Sequence, residues 1–555
     1  MGHKTNMQMS CRPLTNKMTL LKGLLFLLTF LLGILRGFGS LWGLWLKALS
    51  KYYGEHRFSV KQVGESLLLQ PVDALVGNIR DNTVTAEEVM RAYIKRILEV
   101  NPMVNAITND RFDEALEEAR RIDEILGNEL NSEEKKELLA KPLLGVPITV
   151  KESISCRGMP HSSGLVERKN VISEHDSEVV ENLRQNGAIP MAVTNCSELC
   201  MWWETVNNVY GRTRNPYDTS RVAGGSSGGE GAIIAAAGSL CGVGSDVGGS
   251  IRMPAFFNGI SGHKPSPGIV PNHGHYPYGT SEAFHEYLSI GPLCRYASDL
   301  STMLKAMSGP NAYRLGLDEP VDLSSIKVFT VKNFDPTLMA PVSEDLKMAE
   351  KKAVDYLQSH FGTKYEQTDL RYFRYAALIW AAMVMSSEDK KLTSKFLEGN
   401  SGSINPFLEM LKYLVGSSQY HFITPVVGSL EKLHCFDTLS STFVTIGNKL
   451  RLQLESLLGD NGVLLFPSHP RTAMPHGMPV LSPLDFNYTS IFNVLRMPVT
   501  QCPLGLDSEG MPLGIQIAAA CNNDRLTLAV ARALEQKFGG WSTWQPCKHL
   551  VNKNK

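Results

Sequence analysis

Residues 224–264 read GGSSGGEGAIIAAAGSLCGVGSDVGGSIRMPAFFNGISGHK, and they hold two glycine clusters that each carry a serine. Glycine lets the backbone adopt positive φ angles and lets a ligand approach the main chain closely. Successive N–H groups in such a loop can point toward a negatively charged oxygen. The stretch therefore predicts two loops that contact a ligand through the backbone.

Two common uses of glycine-rich loops fit this stretch poorly. A phosphate-binding loop needs Lys-Ser or Lys-Thr after the glycines, and neither cluster has it, so nucleotide binding is not expected. Residues 225–229, GSSGG, match the G-x-S-x-G nucleophile elbow, with Ser227 as the nucleophile. That elbow also needs an acid and then a histidine, whereas His476 precedes Asp485 here. The elbow is the weaker alternative.

A third interpretation uses both clusters together. Ser226 and Ser250 stand 24 residues apart, one in each cluster. Lys151 follows the apolar run at 146–150, which predicts a buried strand with the lysine at its carboxyl end. In open α/β sheets the carboxyl ends of the strands face the ligand crevice. The three side chains are therefore candidates for one catalytic centre.

The remainder of the chain predicts an α/β fold. A capping box at 85–88 begins a helix that Pro102 is expected to end. Further helical patterns alternate with short apolar runs that suit buried strands. These runs lie at 146–150, 189–193, 240–244, 328–331, 463–466 and 515–518, and the helical patterns include 177–185, 345–358 and 525–537. No linker interrupts them, so we predict one catalytic domain over residues 60–550.

Composition limits the classes of function. The 555 residues carry 55 basic and 55 acidic side chains, so the formal net charge is zero, which argues against a dedicated nucleic-acid binder. The ten cysteines are scattered without a C-x-x-C pair, which predicts free thiols rather than a zinc ribbon or a disulfide scaffold. His273 and His275 form a loop pair without a third ligand, so we assign no metal and no other cofactor.

Residues 18–49, MTLLKGLLFLLTFLLGILRGFGSLWGLWLKAL, form a strongly apolar segment. Its first half is long enough to span a bilayer as a helix if Lys22 extends to the interface, and two tryptophans follow that suit an interfacial belt. We therefore expect residues 1–55 to be a membrane anchor and its flank. An interfacial helix and a cleaved signal peptide are the alternatives, although the cleavage site at 37–40 is poor.

Several motifs occur in a fixed order along residues 80–540. They are the Lys151 strand, Thr194-Asn195, YGRTRNP at 210–216, GGSSGGE at 224–230, GGSIRMPA at 248–255, GHKP at 262–265 and PLG at 503–505. In this order they closely resemble the amidase-signature family of serine hydrolases, and so many ordered matches are far stronger than any single one. The resemblance implies a large mixed central sheet covered by helices on both faces, here with the N-terminal apolar anchor helix in front.

By this resemblance the catalytic residues of the family fall on Ser250 as nucleophile, on Ser226 as bridging serine after a cis peptide bond, and on Lys151 as base. A serine hydroxyl is a weak nucleophile and needs a base. Lysine has a reference pKa of about 10.4, so it must be held neutral to accept a proton. Burial lowers a lysine pKa by up to about 3–5 units. Lys151 can then draw the proton of Ser250 through Ser226 and return it to the leaving nitrogen.

Substrate contacts are implied in the same way. The N–H groups of Val247, Gly248, Gly249 and Ser250 are candidates for an oxyanion hole, in which one lost donor typically costs about 2.7–4 kcal/mol of barrier. The carbonyl of Cys200 matches a position that touches the substrate amide. Ser227 is a further candidate donor to the network.

Other side chains near these motifs receive structural roles. We expect Asp246 and Arg252 to form an ion pair that holds the second loop, and Glu152 and Glu230 to be structural. Trp202 and Trp203 belong either to the core or to an acyl tunnel. Residues 405–414 predict either a second membrane-touching helix or an ordinary core helix.

Within the family the resemblance is greatest to the animal fatty-acid amide hydrolases, above all the second, N-terminally anchored type. The apolar N-terminus, Met201-Trp202-Trp203 and residues 256–268 carry it. It implies hydrolysis of lipid amides such as oleamide and N-acylethanolamines by a protein anchored in the endoplasmic reticulum membrane or at the lipid-droplet surface. A homodimer is left open, and no nucleic-acid partner is expected. The alternatives are a glutamine or short-amide amidase of the amidotransferase type and a non-catalytic membrane scaffold.

Overall fold

One mixed sheet of eleven strands runs through the part of the chain that the structure, a computed structural model, describes. That part comprises residues 59–128, 132–279, 281–332, 338–387, 405–431 and 435–541. The anchor expected at 18–49 lies outside the described residues and stays a prediction. Within those ranges, no helix is both long and apolar enough to cross a bilayer.

The strands alternate with helices along the chain, as expected for an α/β fold. The strands are β1 (Ile107–Asp110), β2 (Pro147–Lys151), β3 (Ile189–Thr194), β4 (Val206–Asn207), β5 (Gly211–Arg212), β6 (Cys241–Asp246), β7 (Ser261–Lys264), β8 (Ser289–Cys294), β9 (Lys327–Val331), β10 (Lys364–Thr368), β11 (Gly462–Phe466), β12 (Val499–Leu506) and β13 (Pro512–Ala519). β4 and β5 form a separate antiparallel pair, and the others have the order β1-β3-β2-β6-β8-β7-β12-β13-β11-β9-β10.

Sixteen α-helices occur in the described ranges. They are α1 (Val72–Arg80), α2 (Ala86–Val104), α3 (Phe112–Gly127), α4 (Glu133–Ala140), α5 (Glu178–Gln185), α6 (Gly228–Ala235), α7 (Arg252–Phe257), α8 (Glu282–His285), α9 (Asp299–Ser308), α10 (Glu344–Phe361), α11 (Ala376–Ser386), α12 (Pro406–Leu414), α13 (Ile423–Glu431), α14 (Cys435–Leu458), α15 (Asn487–Val494) and α16 (Asp524–Phe538).

The helix that begins at the capping box corrects one expectation. Thr85 and Glu88 form both hydrogen bonds of the box, but α2 continues through Pro102 to Val104. Proline removes only one N–H, and this one belongs to the last turn, so the helix tolerates it. Asn105 ends the helix instead, in a left-handed conformation with its N–H bonded to the carbonyl of Asn101.

Two hydrophobic clusters cover opposite faces of the sheet. In β11, Val463 and Leu465 belong to one cluster, whereas Leu464 and Phe466 belong to the other. Because successive side chains of a strand point to opposite faces, both faces are buried here. Helices α10 and α16 supply the first cluster, and α11, α14 and α15 supply the second. The predicted mixed sheet with helices on both faces is confirmed in this region.

The parallel strands β2, β3 and β6 position the candidate site. β2 pairs in parallel with β3 on one side and with β6 on the other. The carboxyl ends of the three strands therefore lie next to one another at the same end of the sheet, where Lys151 lies opposite Thr194. All three strands are fully buried, so the side chains at their carboxyl ends are shielded from water.

Candidate active site

Lys151 is the last residue of β2 and is completely buried. Its Nζ lies 2.7 Å from the hydroxyl of Ser226 and 2.9 Å from the hydroxyl of Ser245. Both partners are hydroxyl groups, and no carboxylate pairs with the amine anywhere in the described ranges. The amine can therefore exchange hydrogen bonds with both hydroxyl groups.

Ser226 stands in the turn that leads into α6, directly after a cis peptide bond from Gly225. The turn packs against the segment 197–203, and the N–H of Ser197 donates a hydrogen bond to the carbonyl of Ser226 at 3.2 Å. A β-carbon at Gly225 would lie 2.6 Å from the carbonyl oxygen of Trp202. Only glycine fits at that position, which explains the glycine of the first cluster.

The backbone of the second glycine cluster is hydrogen-bonded to the carboxylate of Asp246. This carboxylate accepts hydrogen bonds from the N–H of Gly249 at 2.7 Å and of Ile251 at 3.1 Å, and it pairs with Arg252 at 3.0 Å. Burial alone would raise the pKa of Asp246, but the guanidinium of Arg252 and these hydrogen bonds hold it well below the usual range. The expected ion pair is confirmed, and it fixes the loop that carries Ser250.

Two distant side chains orient the carbonyl groups of this loop. The indole N–H of Trp380 donates to the carbonyl of Val247 at 2.7 Å, and the hydroxyl of Thr489 donates to the carbonyl of Gly248 at 2.7 Å. Because a peptide unit is planar and trans, the N–H of Gly248 points away from Trp380. Trp380 and Thr489 therefore help to direct the backbone donors of the loop.

The four predicted oxyanion donors differ in their availability. The N–H of Gly249 already donates to Asp246. In the described part of the chain, no acceptor is bound to the N–H groups of Val247, Gly248 and Ser250. These three groups are free to bind a substrate oxygen.

Ser250 differs from the other two triad candidates in exposure. Its side chain is 7% exposed, whereas Lys151 and Ser226 are at 0%. Its backbone carbonyl accepts from the N–H of Ser227 at 3.3 Å, which places the two glycine clusters side by side. Among the described residues, no hydrogen bond joins its hydroxyl to that of Ser226. The structure thus brings Lys151 and Ser226 into contact and places Ser250 on the adjacent loop.

Ser227 connects backbone segments. Its hydroxyl donates to the carbonyl of Ser245 at 3.3 Å. His476, which the nucleophile elbow would use, bonds instead to Glu204 at 2.9 Å and to the carbonyl of Thr219 at 3.2 Å. Ser227 therefore links two backbone segments. His476 does not contact Ser227 as the nucleophile elbow would require, because it bonds to Glu204 and Thr219.

The segment after β3 contains Cys200 and the two tryptophans. Cys200 is partly exposed, has a left-handed φ of 57° and lies 3.6 Å from the hydroxyl of Ser163. Trp202 and Trp203 are buried and pack against Phe422 and Phe257 at ring-centroid distances of 5.6 and 6.4 Å. Their position is that of core residues beside the site.

The two buried glutamates hold the scaffold, as expected. Glu230 accepts from the hydroxyls of Thr149 at 2.6 Å and Thr194 at 2.8 Å, and burial raises its pKa to about 8. Glu152 accepts from the N–H groups of Ser162 and Ser163, and burial raises its pKa as well. Across the described ranges, no three histidine, cysteine or acidic side chains come together as a metal site would require.

Sequence reasoning missed four contributors to this site. Ser245 is the residue before Asp246, and its contact with Lys151 follows from the pairing of β6 with β2. His275 was assigned to a loop, yet it is buried and bonds to Ser245. Trp380 and Thr489 lie in helices far along the chain, and no local pattern marks them. Only Ser245, at the end of a predicted strand, could have been found from the sequence.

The comparisons with known proteins agree with the fold and identify the family. The amidase family model matches residues 88–528. Fatty-acid amide hydrolase 2 of Homo sapiens is 46% identical over 522 residues, which cover 92% of this chain and 97% of that protein. Fatty-acid amide hydrolase 2-A of Danio rerio is 46% identical over 480 residues, or 86% of this chain and 90% of that protein. A solved structure of a fatty acid amide hydrolase, 22% identical, has a TM-score of 0.69 over 86% of each chain, which supports the fold.

Proposed function

The chain belongs to the amidase family, and from this premise we propose that it hydrolyses fatty-acid primary amides and N-acylethanolamines to a free fatty acid and ammonia or an amine. The observation that carries the proposal is the 2.7 Å contact between Lys151 Nζ and Ser226 Oγ beside the Ser250 loop. The similarity to fatty-acid amide hydrolases at 46% identity supports the substrate class.

Acylation begins when Ser250 Oγ attacks the carbonyl carbon of the amide. The proton of Ser250 passes to Ser226, and the proton of Ser226 passes to Lys151. Hydrogen bonds of this kind are often long in the free enzyme and shorten when substrate binds. The negative charge on the former carbonyl oxygen is stabilised by the free N–H groups of Val247, Gly248 and Ser250.

The tetrahedral intermediate collapses when its nitrogen leaves. Lys151 returns a proton to Ser226, and Ser226 passes one to the departing nitrogen, so that ammonia or the amine leaves neutral. Ser250 then carries the fatty acyl group as an ester. Water attacks this ester with the same relay as base, and the fatty acid leaves while Ser250 regains its proton.

Helix α12 supports a lipid surface as the place of action. Its side chains Phe407, Leu411 and Leu414 are 50%, 62% and 79% exposed, so the interpretation as a core helix is wrong. Large exposed apolar patches mark binding surfaces, and an amphipathic helix can bury such a face in a bilayer. We infer that α12 touches the membrane that the expected N-terminal anchor also enters. The endoplasmic reticulum or a lipid droplet is the location that we propose.

Aromatic contacts link this helix to the site. The ring of Tyr413 lies 6.1 Å from Phe422, and Phe422 lies 5.6 Å from Trp202. The carboxylate of Glu198, two residues before Cys200, accepts from the N–H of His421 at 3.0 Å. A substrate that partitions into the bilayer would therefore enter next to the catalytic loops.

Purified enzyme tests the proposal by turnover of oleamide against glutamine and short-chain amides. Preferential hydrolysis of oleamide supports a lipid amidase. Faster turnover of glutamine would favour the amidotransferase-type alternative. Absence of turnover together with absence of fluorophosphonate labelling would favour a non-catalytic scaffold.

A further inference from the structure

A second hydrogen-bonded chain starts at Lys151, in addition to its contact with Ser226. Lys151 Nζ lies 2.9 Å from Ser245 Oγ, and Ser245 Oγ lies 2.8 Å from Nε2 of His275. His275 is 4% exposed, although it stands in the loop before β8. Its other ring nitrogen, Nδ1, lies 3.0 Å from the carbonyl oxygen of Pro277. The proposed acylation step uses neither Ser245 nor His275.

The carbonyl of Pro277 determines the direction of every bond in this chain. A carbonyl oxygen can only accept, so Nδ1 of His275 carries the hydrogen. In the neutral ring Nε2 then holds a lone pair and accepts the hydroxyl hydrogen of Ser245. The oxygen of Ser245 in turn accepts an N–H of Lys151. A neutral amine has one lone pair, and with an N–H directed at Ser245 that lone pair is available to its other partner, Ser226.

We propose that His275 is a positioning residue for the amide hydrolysis, because through Ser245 it turns the lone pair of Lys151 toward the hydroxyl of Ser226. The inference rests on the proposed role of Lys151 as the base. The proposed proton transfers run through Lys151, Ser226 and Ser250 and do not pass through His275. Lys151 donates to Ser245 both as amine and as ammonium, so only the bonds among Lys151, Ser226 and Ser250 change.

The surroundings of His275 hold its ring in place. The N–H of Tyr276 donates to the carbonyl of Ser153 at 2.8 Å, and His275 itself forms an antiparallel bridge with Ile154. The hydroxyl of Ser153 lies 3.3 Å from Nε2, farther than that of Ser245, so Ser245 is the closer donor. In metal sites, a neighbour that fixes the orientation of a ligand also changes the basicity of that ligand, and His275 is held in a comparable position relative to Ser245.

Substitutions that keep or remove the acceptor test the inference. His275→Leu removes it, and His275→Gln keeps an acceptor oxygen near the position of Nε2. We expect kcat for oleamide to fall about 10- to 100-fold in His275→Leu with little change in KM, by analogy with the loss seen when a group that orients a metal ligand is removed. The rate of fluorophosphonate labelling should fall by the same factor. His275→Gln should retain most of the wild-type value in both assays.

The double-mutant cycle with Ser245→Ala separates positioning from general stability. If His275 acts through Ser245, Ser245→Ala/His275→Leu should be no slower than the slower single variant, since coupled residues are not additive. Additive losses, an equal loss in His275→Gln and His275→Leu, or a folded His275→Leu with wild-type rates would each overturn the inference. Where wild type labels normally but fails to hydrolyse oleamide, the substrate proposal fails and the labelling rates still decide the role of His275. Where wild type is not labelled at all, both proposals are overturned.

Discussion

The amine of Lys151 and the hydroxyl of Ser226 lie 2.7 Å apart, although 75 residues separate them in the chain, and neither group is exposed. Ser250 is 7% exposed, against 0% for the other two triad candidates. The proposed base is thus fully enclosed by protein, while the proposed nucleophile keeps a small accessible surface.

Ser250 is expected to carry the acyl group, so Ser250→Ala should abolish both amide turnover and covalent labelling by a fluorophosphonate. Mass spectrometry of the labelled wild-type peptide measures the site directly. Ser227→Ala serves as the control and should still be labelled, because Ser227 bonds to the backbone of β6. A label on Ser227 in wild type would support the nucleophile elbow and contradict the triad.

Lys151→Ala should slow acylation by about 10²- to 10⁴-fold, the usual contribution of a positioned base. Stopped-flow measurement of acylation gives the rate, and circular dichroism shows whether the variant is folded. A folded variant with near wild-type rates at neutral pH would exclude Lys151 as the base.

Neighbouring glycines of the second cluster should respond differently to alanine. Gly249 has a φ of 120°, and a β-carbon there would lie 2.0 Å from the hydroxyl oxygen of Thr489, whereas at Gly248 the nearest atom would be 3.6 Å away. Gly249→Ala should therefore lower the free energy of unfolding, typically by more than about 1 kcal/mol, and the melting temperature should fall with it. Gly248→Ala, the matched control, should melt close to wild type. Equal melting temperatures for the two variants would refute this explanation.

Glu230 should make stability depend on pH. Burial raises its pKa from 4.5 to about 8 in the folded protein, so between these pH values the folded state binds a proton that the unfolded state has lost. The contribution of Glu230 to the free energy of unfolding must then fall as pH rises, by up to about 1.4 kcal/mol per pH unit, and level off above the folded pKa. Glu230→Gln lacks this dependence, so the stability of wild type relative to the variant should decrease from pH 5 to pH 8.

Denaturant unfolding at several pH values measures this difference for Glu230→Gln. Glu114→Gln, at an exposed position of α3, is the control for the loss of a carboxylate on the surface. A wild-type minus variant difference that stays constant across the range would mean that Glu230 is ionised in the folded protein.

Deletion of residues 1–50 should move the protein toward the soluble fraction while turnover of a short soluble amide survives. Turnover of long-chain amides on vesicles should fall more, because encounter at the bilayer is lost. Carbonate extraction of the full-length protein is the decisive assay, since release into the supernatant would exclude a transmembrane anchor.

Residual binding of the deleted protein to vesicles is expected to depend on α12. Leu411→Ser together with Leu414→Ser should weaken it, because both side chains are mostly exposed and apolar. Leu452→Ser is the control, as Leu452 is another exposed leucine, in α14. Equal loss in both variants would contradict a specific membrane face on α12.

The sequence predicted the strands that carry strong apolar runs, and it failed where strands are short or polar. β2, β3 and β6 were expected because runs such as VPITV at 146–150 and IPMAV at 189–193 consist mostly of apolar residues. β7 reads SGHK and β10 reads KYEQT, and their pairing depends on neighbours that are distant in the chain. Lys151, Ser226 and Ser250 could be named in advance because each lies in a local sequence motif. The contacts of Trp380 and Thr489 with the Ser250 loop could not be predicted, because these two residues are distant from the loop in the chain.

The order of strands also bears on how the protein is made. In the part of the chain that the structure describes, β1 to β8 pair only among themselves or with β12, and β9, β10 and β11 form a second group that does not pair with the first. The hairpin of β12 and β13 is inserted between β7 and β11 and joins the two groups. A chain stopped by a premature stop codon before residue 499 would therefore present two unfinished sheets with open edges at β7 and β11. Such edges invite pairing with other chains, so a late nonsense mutation is expected to yield aggregates rather than a partly active enzyme.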